Sequence, residues 1–275
     1  MWTLLSRVLN KFLGAADFLC RKLKVFNSAL FWGSFGEREL YHHKLNKSYD
    51  NKKIANNYLE RYNNKKVEFG ERERQLLLPV FYCLNKLKKA DRYSNFTFAD
   101  LCGGLGLHFD TIKHFSNLED IHSYRIIETA SICNIYNESA ALHTDHRKLF
   151  HTVDELPFNF KADIFLIIGS LQYMDNWKDI LQKVFASASF VIIDRLPLIS
   201  GDTDFLSTQY VKPPIYDHST SYPITYISKS NFESEIRRSG LAIDFFHEDK
   251  ISQSSLNWKY VKNYTYVLSH SGASS

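Results

Sequence analysis

The chain of 275 residues is long enough for one α/β domain with an additional segment, and its 44% hydrophobic and 15% aromatic residues are sufficient for a packed core. The four cysteines lack the CxxC spacing of a zinc site or a disulfide framework, which predicts free thiols, no bound metal and a cytoplasmic protein. The net charge of +4 is uneven, because residues 1–95 contain 19 Lys and Arg against 9 Asp and Glu while residues 96–275 are net acidic. A basic amino-terminal part therefore precedes an acidic body.

Residues 1–24 predict an amphipathic, basic helix, because apolar residues recur at three- and four-residue steps. Arg7 and Lys11 interrupt the apolar run, which excludes a membrane span and disfavours a secretory signal. Such a helix either lies peripherally on the inner face of an anionic membrane or packs on the protein, and its charge does not distinguish the two. We assign residues 1–93 to a basic helical extension, 94–270 to the main domain and 271–275 to a flexible tail.

A helix predicted over residues 72–89, in which Pro79 indicates a kink, leads to an apolar strand that begins at Phe96 and ends near Asp100. A glycine cluster and a helix over residues 109–116 follow. In open parallel sheets, a strand followed by a glycine turn and a helix brings backbone atoms against a nucleotide-like ligand. A glycine turn can also have no other role than to reverse the chain direction. The acid at Asp100 would repel a pyrophosphate, so it favours a ligand that is neutral or cationic there. The candidate ligand-binding residues of the turn are Asp100, Cys102, Gly103, Gly104 and Gly106.

A second strand over residues 124–128 ends in Glu128, which is followed by Thr129. The two oxygens of a carboxylate at this position can accept hydrogen bonds from both hydroxyls of a ribose. After a helix over residues 130–146, a third strand over residues 149–153 is predicted to end at Asp154. Glu128, Thr129 and Asp154 are therefore further candidates for binding a nucleoside.

Strands over residues 162–168 and 189–193 flank a helix over residues 177–186, and this alternation predicts a parallel α/β sheet with ligands beyond the carboxyl ends of its strands. Residues 196–228 are interpreted as a long polar connection, which is commonly functional. A helix over residues 231–239 and strands over 241–247 and 260–268 complete a mostly parallel seven-stranded sheet with helices on both faces. Asp194 and Arg195 follow the fifth strand, and Ser170, Leu171, Gln172 and Tyr173 follow the fourth.

The glycine turn resembles motif I of class I S-adenosylmethionine-dependent methyltransferases, D-x-G-x-G-x-G, at Asp100, Gly104 and Gly106, with Cys102 in place of the first glycine. Residues 169–173 and 193–195 resemble more specifically a bacterial family of predicted methyltransferases associated with surface-polysaccharide gene clusters. The resemblance implies a Rossmann-like class I fold, S-adenosylmethionine as cofactor, and methyl transfer to a small-molecule or saccharide acceptor such as a hydroxyl of a surface-polysaccharide precursor. It extends over residues 127–129, Gln209, Pro213, Pro214 and residues 221–223.

Methylation of a hydroxyl requires removal of its proton, and a histidine or a carboxylate within hydrogen-bond reach can serve as the base. The candidates for catalysis are Asp194, His218 and Tyr173. Ser170, Leu171 and Gln172 are expected to border the cofactor. The candidates for the acceptor pocket are Arg195, Gln209, Tyr216 and Tyr222.

Three alternatives remain open at the level of sequence. A noncatalytic S-adenosylmethionine-binding module is one, because Cys102 replaces a motif glycine. A nicotinamide-dependent oxidoreductase is disfavoured, because Phe109 stands where the pattern G-x-G-x-x-G requires its third glycine. A nucleic-acid methyltransferase could use the basic first 95 residues, but the chain lacks a recognisable base-reading element, so no specific nucleic-acid partner is expected.

Overall fold

The computed structural model describes residues 30–33, 52–63, 71–90, 95–116, 121–139, 147–150, 160–211, 220–256 and 259–270. These residues form ten strands and six α-helices, which alternate only in part of the chain. The strands are β1 (Leu30–Gly33), β2 (Phe96–Leu101), β3 (Ile121–Ile127), β4 (Arg147–Phe150), β5 (Ala162–Ile168), β6 (Ala188–Ile199), β7 (Phe205–Val211), β8 (Thr220–Ser228), β9 (Leu241–Leu256) and β10 (Lys259–His270). The helices are α1 (Lys52–Asn63), α2 (Glu71–Lys89), α3 (Leu107–Ser116), α4 (Ala130–Glu138), α5 (Trp177–Ser187) and α6 (Lys229–Arg238).

The central part of the sheet has the spatial order β4-β3-β2-β5-β6, and all of these neighbours are parallel. Strand β10 pairs antiparallel with β6, and β9 pairs antiparallel with β10. Every residue of β5 is buried, as expected for a parallel strand covered on both faces. The predicted Rossmann-like sheet with a terminal hairpin is therefore confirmed.

Side chains alternate between two apolar layers on opposite faces of the sheet. On one face, Ile164 and Ile192 belong to a buried cluster with residues of α2 and α3, including Leu76. On the other face, Phe165 and Ile193 belong to a second cluster with residues of α5 and α6. Because strand side chains alternate with period two, neighbouring isoleucine and phenylalanine residues support both layers.

Within the connection predicted over residues 196–228, the described residues include two further strands, β7 and β8, which corrects that interpretation. Strand β6 continues beyond the predicted end at residue 193 as far as Ile199, and β8 pairs parallel with its last residues. Strand β7 pairs antiparallel with β8, and β1 pairs antiparallel with β7, so the sheet gains three strands. The added strands are stabilised by a small cluster of their own, in which Ile224, Tyr226 and Phe205 pack on Ile199.

Other differences concern the ends of elements. The helix after β3 ends at Glu138, whereas it was predicted to reach residue 146, and β4 begins at Arg147, before the predicted start. Pro79 lies inside α2, which continues to Lys89. The assignment of residues 1–93 to an extension stays a prediction, and residues 1–24 lie outside the described residues. In the described parts of the chain, no helix is both long and apolar enough to cross a membrane.

Asp204 joins the added strands to the helices on the adjacent face. Its carboxylate accepts hydrogen bonds from Ser228 N (2.9 Å), Asn231 Nδ2 (3.1 Å) and Trp177 Nε1 (3.3 Å). We expect Asp204→Ala to lower the free energy of unfolding by about 1–3 kcal/mol, because three donors lose their acceptor. Asp202→Ala, at an exposed position of the same turn, should change it by less than about 0.5 kcal/mol. Urea denaturation measures both variants, and equal losses would contradict this role.

Candidate functional site

The glycine turn lies between β2 and α3 and has the unusual backbone geometry that the motif predicts. Cys102, Gly104 and Gly106 have positive φ angles of 58°, 60° and 95°. Cys102 N donates to Ile127 O of the neighbouring strand (2.8 Å), which fixes the start of the turn. A left-handed backbone is unfavourable for a residue with a Cβ, so Cys102 adopts at a cost the conformation that a glycine would adopt freely.

Gly103 has a different reason for lacking a side chain. A Cβ placed on Gly103 would lie 2.2 Å from Asp100 Oδ2 and 2.5 Å from Asp100 Cγ. Those distances are far below van der Waals contact, so any larger residue would displace the carboxylate or the turn. The backbone of Gly103 and the side chain of Asp100 are therefore packed directly against each other.

Asp100 is fully buried and is held from two sides. Tyr124 Oη donates to Asp100 Oδ2 (2.8 Å), and His108 Nδ1 lies 2.9 Å from the same oxygen. The other oxygen, Oδ1, is buried without a hydrogen-bond partner. An unpaired buried carboxylate oxygen is costly, which makes Oδ1 a position for a donor or a cation from a ligand. The sequence predicted Asp100 but not Tyr124 or His108, since neither belongs to a motif.

Glu128 is buried at the end of β3, and it contacts the turn directly. Its Oε1 accepts from Gly104 N (3.0 Å), and its Oε2 accepts from Thr129 N (2.8 Å). The carboxylate thus anchors the glycine turn to the end of the second parallel strand. Each carboxylate oxygen can accept more than one hydrogen bond, so this contact is compatible with the predicted contact to a ribose.

The loop after β5 closes a third side of the turn. Ser170 Oγ donates to Leu101 O (3.1 Å), and Gln172 Nε2 donates to Gly169 O (2.8 Å). Leu171 is buried in the core beneath the loop. These contacts bring the predicted residues after β5 next to the predicted residues after β2, as expected where parallel strands end at one edge.

The Cys102 thiol belongs to the glycine turn and lies next to Ser170 of the loop after β5. Burial, followed by the negative charges of Glu128 and Asp100, raises its pKa well above the usual value for a thiol. A thiol with a raised pKa stays protonated at neutral pH and is a poor nucleophile. Cys102 therefore contributes shape to the turn and no covalent chemistry.

Helix α1 covers the turn from outside, which the sequence did not predict. A Cβ placed on Gly104 would lie 3.2 Å from Tyr58 Cε1. Tyr58 packs on a small cluster that joins Leu105 of the turn to Ile132 of α4. The apolar stripe of α1 was visible in the sequence, but nothing in it specified the turn as the contact surface.

Several buried oxygens around the turn lack a hydrogen-bond partner. Besides Asp100 Oδ1, they are Gln172 Oε1 in the loop after β5, Thr129 Oγ1 after β3 and Asn57 Oδ1 on α1, next to Tyr58. All four can accept a hydrogen bond, and a buried acceptor of this kind requires a donor. The segments around the turn therefore favour a ligand rich in hydrogen-bond donors.

The candidates for catalysis and acceptor binding divide into two groups beside this edge. Tyr173 Oη donates to Gln209 Oε1 of β7 (2.6 Å), so two predicted residues lie in direct contact. Asp194 and Arg195 lie on the neighbouring strand β6, where Thr265 Oγ1 donates to Asp194 Oδ1 (2.5 Å) and Arg195 Nε lies 3.4 Å from Asp194 Oδ2.

The prediction that β6 ends at residue 193, with Asp194 and Arg195 directly after it, is wrong. The strand continues through Asp194 and Arg195 with a local irregularity. Arg195 has a positive φ of 54°, and the pairing with β10 shifts register there, between Tyr264 and Tyr266. Asp194 nevertheless pairs with Ile168, the last residue of β5, so it lies at the level of the ligand edge.

Other candidates are placed only in part. Tyr222 lies in β8, directly opposite Gln209 of β7 in the strand register. His218, Tyr216 and Asp154 lie outside the described residues, and their roles stay predictions. Among the described residues, no group of three or more His, Cys, Asp or Glu side chains is arranged to hold a metal ion.

Comparison with known proteins identifies the fold. No family model and no curated protein matches the sequence. An S-adenosylmethionine-dependent methyltransferase from Clostridium acetobutylicum superimposes with a TM-score of 0.50 at 12% identity, over 79% of this chain and 99% of that chain. The CcbJ methyltransferase from Streptomyces caelestis gives a TM-score of 0.52 at 12% identity, over 82% and 98%.

A third similar structure is the 1,6-didemethyltoxoflavin-N1-methyltransferase from Burkholderia thailandensis, solved with 1,6-didemethyltoxoflavin and S-adenosylhomocysteine. It gives a TM-score of 0.50 at 10% identity, over 90% of this chain and 98% of that chain. At such identities the likeness concerns the fold, which is that of class I methyltransferases, as predicted.

The contact between Gly103 and Asp100 generates a prediction. Gly103→Ala should lower the free energy of unfolding by about 1–3 kcal/mol, because the new Cβ overlaps Asp100 Oδ2. It should also displace the carboxylate from Tyr124. Gly240→Ala is the comparison for backbone strain without an overlap, since Gly240 has a positive φ of 70° and nothing within 4 Å of the added atom; it should cost about 1–2 kcal/mol through its backbone alone and leave the surroundings of Tyr124 unchanged. Thermal denaturation and near-UV circular dichroism measure both, and a Gly103→Ala protein as stable as wild type would contradict the contact.

The backbone at Cys102 generates a second prediction. Cys102→Gly and Cys102→Ala both remove the thiol, but only glycine is free of strain at a φ of 58°. We expect the glycine variant to exceed the alanine variant in unfolding free energy by about 1 kcal/mol. Parallel urea titrations give this difference directly. An alanine variant equal to or more stable than the glycine variant would exclude a left-handed backbone at this position.

Proposed function

We propose that the chain is an S-adenosylmethionine-dependent methyltransferase that acts on a small molecule. The observation that carries the proposal is the buried Asp100 carboxylate, which has one unpartnered oxygen and lies so close to Gly103 that a Cβ there would overlap it. A carboxylate there opposes a pyrophosphate and favours a cationic ligand with donors. The class I methyltransferase fold is consistent with this choice.

The residues present fit this cofactor. Asp100 and the backbone around Gly104 and Gly106 would hold its cationic amino-acid part, and Glu128 would accept from its ribose hydroxyls. Gln172 would border it from the loop after β5. When bound, S-adenosylmethionine supplies a methyl group that is already activated by the sulfonium charge.

The residues of the chain then have three tasks: to orient the two ligands, to exclude water and to accept a proton. Orientation alone can supply roughly 7–11 kcal/mol of a barrier. Helix α1 covers the turn through Tyr58, which limits the access of water. Asp194, whose position is fixed by Thr265, is the described carboxylate beside the ligand edge that can accept a proton from an acceptor hydroxyl.

The acceptor is supported by fewer observations than the cofactor. A small molecule agrees with the similar Burkholderia enzyme, which was solved with 1,6-didemethyltoxoflavin. A saccharide hydroxyl, including that of a surface-polysaccharide precursor, is supported by the resemblance of residues 169–173 and 193–195 to the polysaccharide-associated family. The contact of Tyr173 with Gln209 supplies a polar group on the acceptor side of the same loop.

The cofactor proposal is tested by calorimetric titration with S-adenosylmethionine, S-adenosylhomocysteine and NAD. We expect the wild-type protein to bind the first two and not NAD. Asp100→Asn should weaken binding of S-adenosylmethionine about 10- to 100-fold, because a hydrogen bond to a charged acceptor contributes about 1.5–3 kcal/mol.

Asp163→Asn is the matched control for that substitution. Asp163 is also buried, but it accepts from Thr97 N (2.8 Å) near the amino end of β5, away from the glycine turn. Its replacement should leave the cofactor affinity unchanged. Equal affinity of Asp100→Asn and wild type, or tighter binding of NAD than of S-adenosylmethionine, would reject the proposal.

A further inference from the structure

A cavity of about 390 Å³ opens beside the ligand edge, on the face of the sheet that α2 covers. Its walls come from three distant parts of the sequence: Leu78 from α2, Asp194 and Arg195 from β6, and residues of the β9–β10 hairpin such as His247 and Asn263. None of these hairpin residues belongs to a motif. The cavity falls in the range of about 300–1,000 Å³ that is typical of small-molecule sites.

We propose that this cavity is the acceptor pocket and that it takes an uncharged, polyhydroxylated ligand about the size of one sugar ring. The inference rests on the methyltransferase function proposed above. It extends that function by naming the pocket and the chemical class of the acceptor.

The position of the cavity next to the cofactor turn is the first support. Gly169 N donates to Asp194 O (2.8 Å), and a Cβ placed on Gly169 would lie 3.8 Å from Arg195 Cβ. Gly169 begins the loop whose Ser170 is bonded to Leu101 at the end of β2. The cavity and the turn thus share one wall. Strands β2 and β6 are two strand spacings apart, roughly 10 Å, so a ligand in the cavity would lie beside the cofactor and not in its place.

The charges of the lining disfavour an anionic ligand. Two carboxylates, Asp194 and Asp249, line the cavity together with one guanidinium, that of Arg195, and with the imidazole of His247. Arg195 is already directed to Asp194, with Nε 3.4 Å from Oδ2. A lining in which the carboxylates outnumber the guanidinium offers no net attraction to an anion such as a phosphate or a uronate.

The remaining polar groups suit hydroxyls. A hydroxyl both donates and accepts, and the Asn263 amide provides both functions in one side chain. Gln75, at the amino-terminal end of α2, provides a second amide. Thr265 is committed to Asp194, which it holds at the edge of the cavity. These groups are distributed over opposite walls, as binding of a ring with several hydroxyls requires.

An apolar wall completes the pocket. Leu78, Pro79 and Phe245 line it, and Leu78 is 65% exposed on a helix that buries most of its other apolar residues. The carbon-bound face of a sugar ring would cover such a surface and remove it from water. An aromatic or aliphatic wall opposite amides and a carboxylate is typical of sites for small polar molecules with one apolar face.

The test uses the full chain and neutral methyl hexosides as probes, with glucuronate as the anionic counterpart. Saturation-transfer NMR titrations measure binding to wild type and to Leu78→Trp and His247→Trp, two exposed positions on opposite walls that a bulky ring would fill. Phe81→Trp is the matched control, because Phe81 is 37% exposed on the same helix but does not line the cavity. Binding of S-adenosylhomocysteine to each variant is measured in parallel.

We expect at least one neutral hexoside to bind wild type and the Phe81→Trp control alike, and to bind the two filled variants about tenfold more weakly or not at all. Glucuronate should bind wild type at least about tenfold more weakly than that hexoside, which corresponds to about 1.4 kcal/mol.

Two kinds of failure are distinguishable. Loss of S-adenosylhomocysteine binding in the wild-type protein would overturn the proposed function and the acceptor assignment with it. Retained S-adenosylhomocysteine binding together with no hexoside binding, equal hexoside binding by the filled variants, or preferred binding of glucuronate would overturn the acceptor assignment alone.

Discussion

The packing of the Asp100 carboxylate against the backbone of Gly103 is the constraint on which the ligand edge depends. A Cβ added at Gly103 would lie 2.2 Å from Asp100 Oδ2, so no other residue fits at this position unless Asp100 moves. Asp100 in turn is fixed by Tyr124 from β3, and His108 from α3 lies beside the same oxygen. A negative charge is thereby held at a defined place beside the backbone of the glycine turn. A fixed carboxylate at this position opposes a phosphate group and favours a cationic group of a ligand.

The turn is rigid because each neighbouring strand contributes one anchor. Glu128 holds Gly104 N from the end of β3, and Ser170 holds Leu101 O from the loop after β5. Cys102 tolerates a left-handed backbone between these anchors, which explains how the motif accepts a residue other than glycine at its first glycine position. The thiol is protonated and enclosed, so the substitution alters local stability more than chemistry.

The sequence predicted the parts of the molecule that follow from hydrophobic patterns and from acids at strand ends. The run over β5 is apolar throughout, Asp100 lies near the end of β2 and Glu128 follows β3, so the sheet and the position of its ligand edge could be predicted from the sequence. The β7–β8 pair was missed because its strands mix serine, threonine, tyrosine and proline with few aliphatic residues. The contacts of Tyr58, His108 and Thr265 were missed because they join segments that no local pattern relates.

The two proposed ligand sites differ in how they are built. The cofactor turn is formed mainly by the ends of parallel strands, whose register fixes Asp100 against Ile126 and Leu166 within one sheet. The cavity beside it is formed by an early helix and the terminal hairpin, which meet only because β10 pairs with β6. Substitutions at exposed positions of that helix and hairpin change the cavity without touching the turn. In the proposed function, acceptor specificity would therefore be separable from cofactor binding, with Asp194 and Arg195 between the two sites.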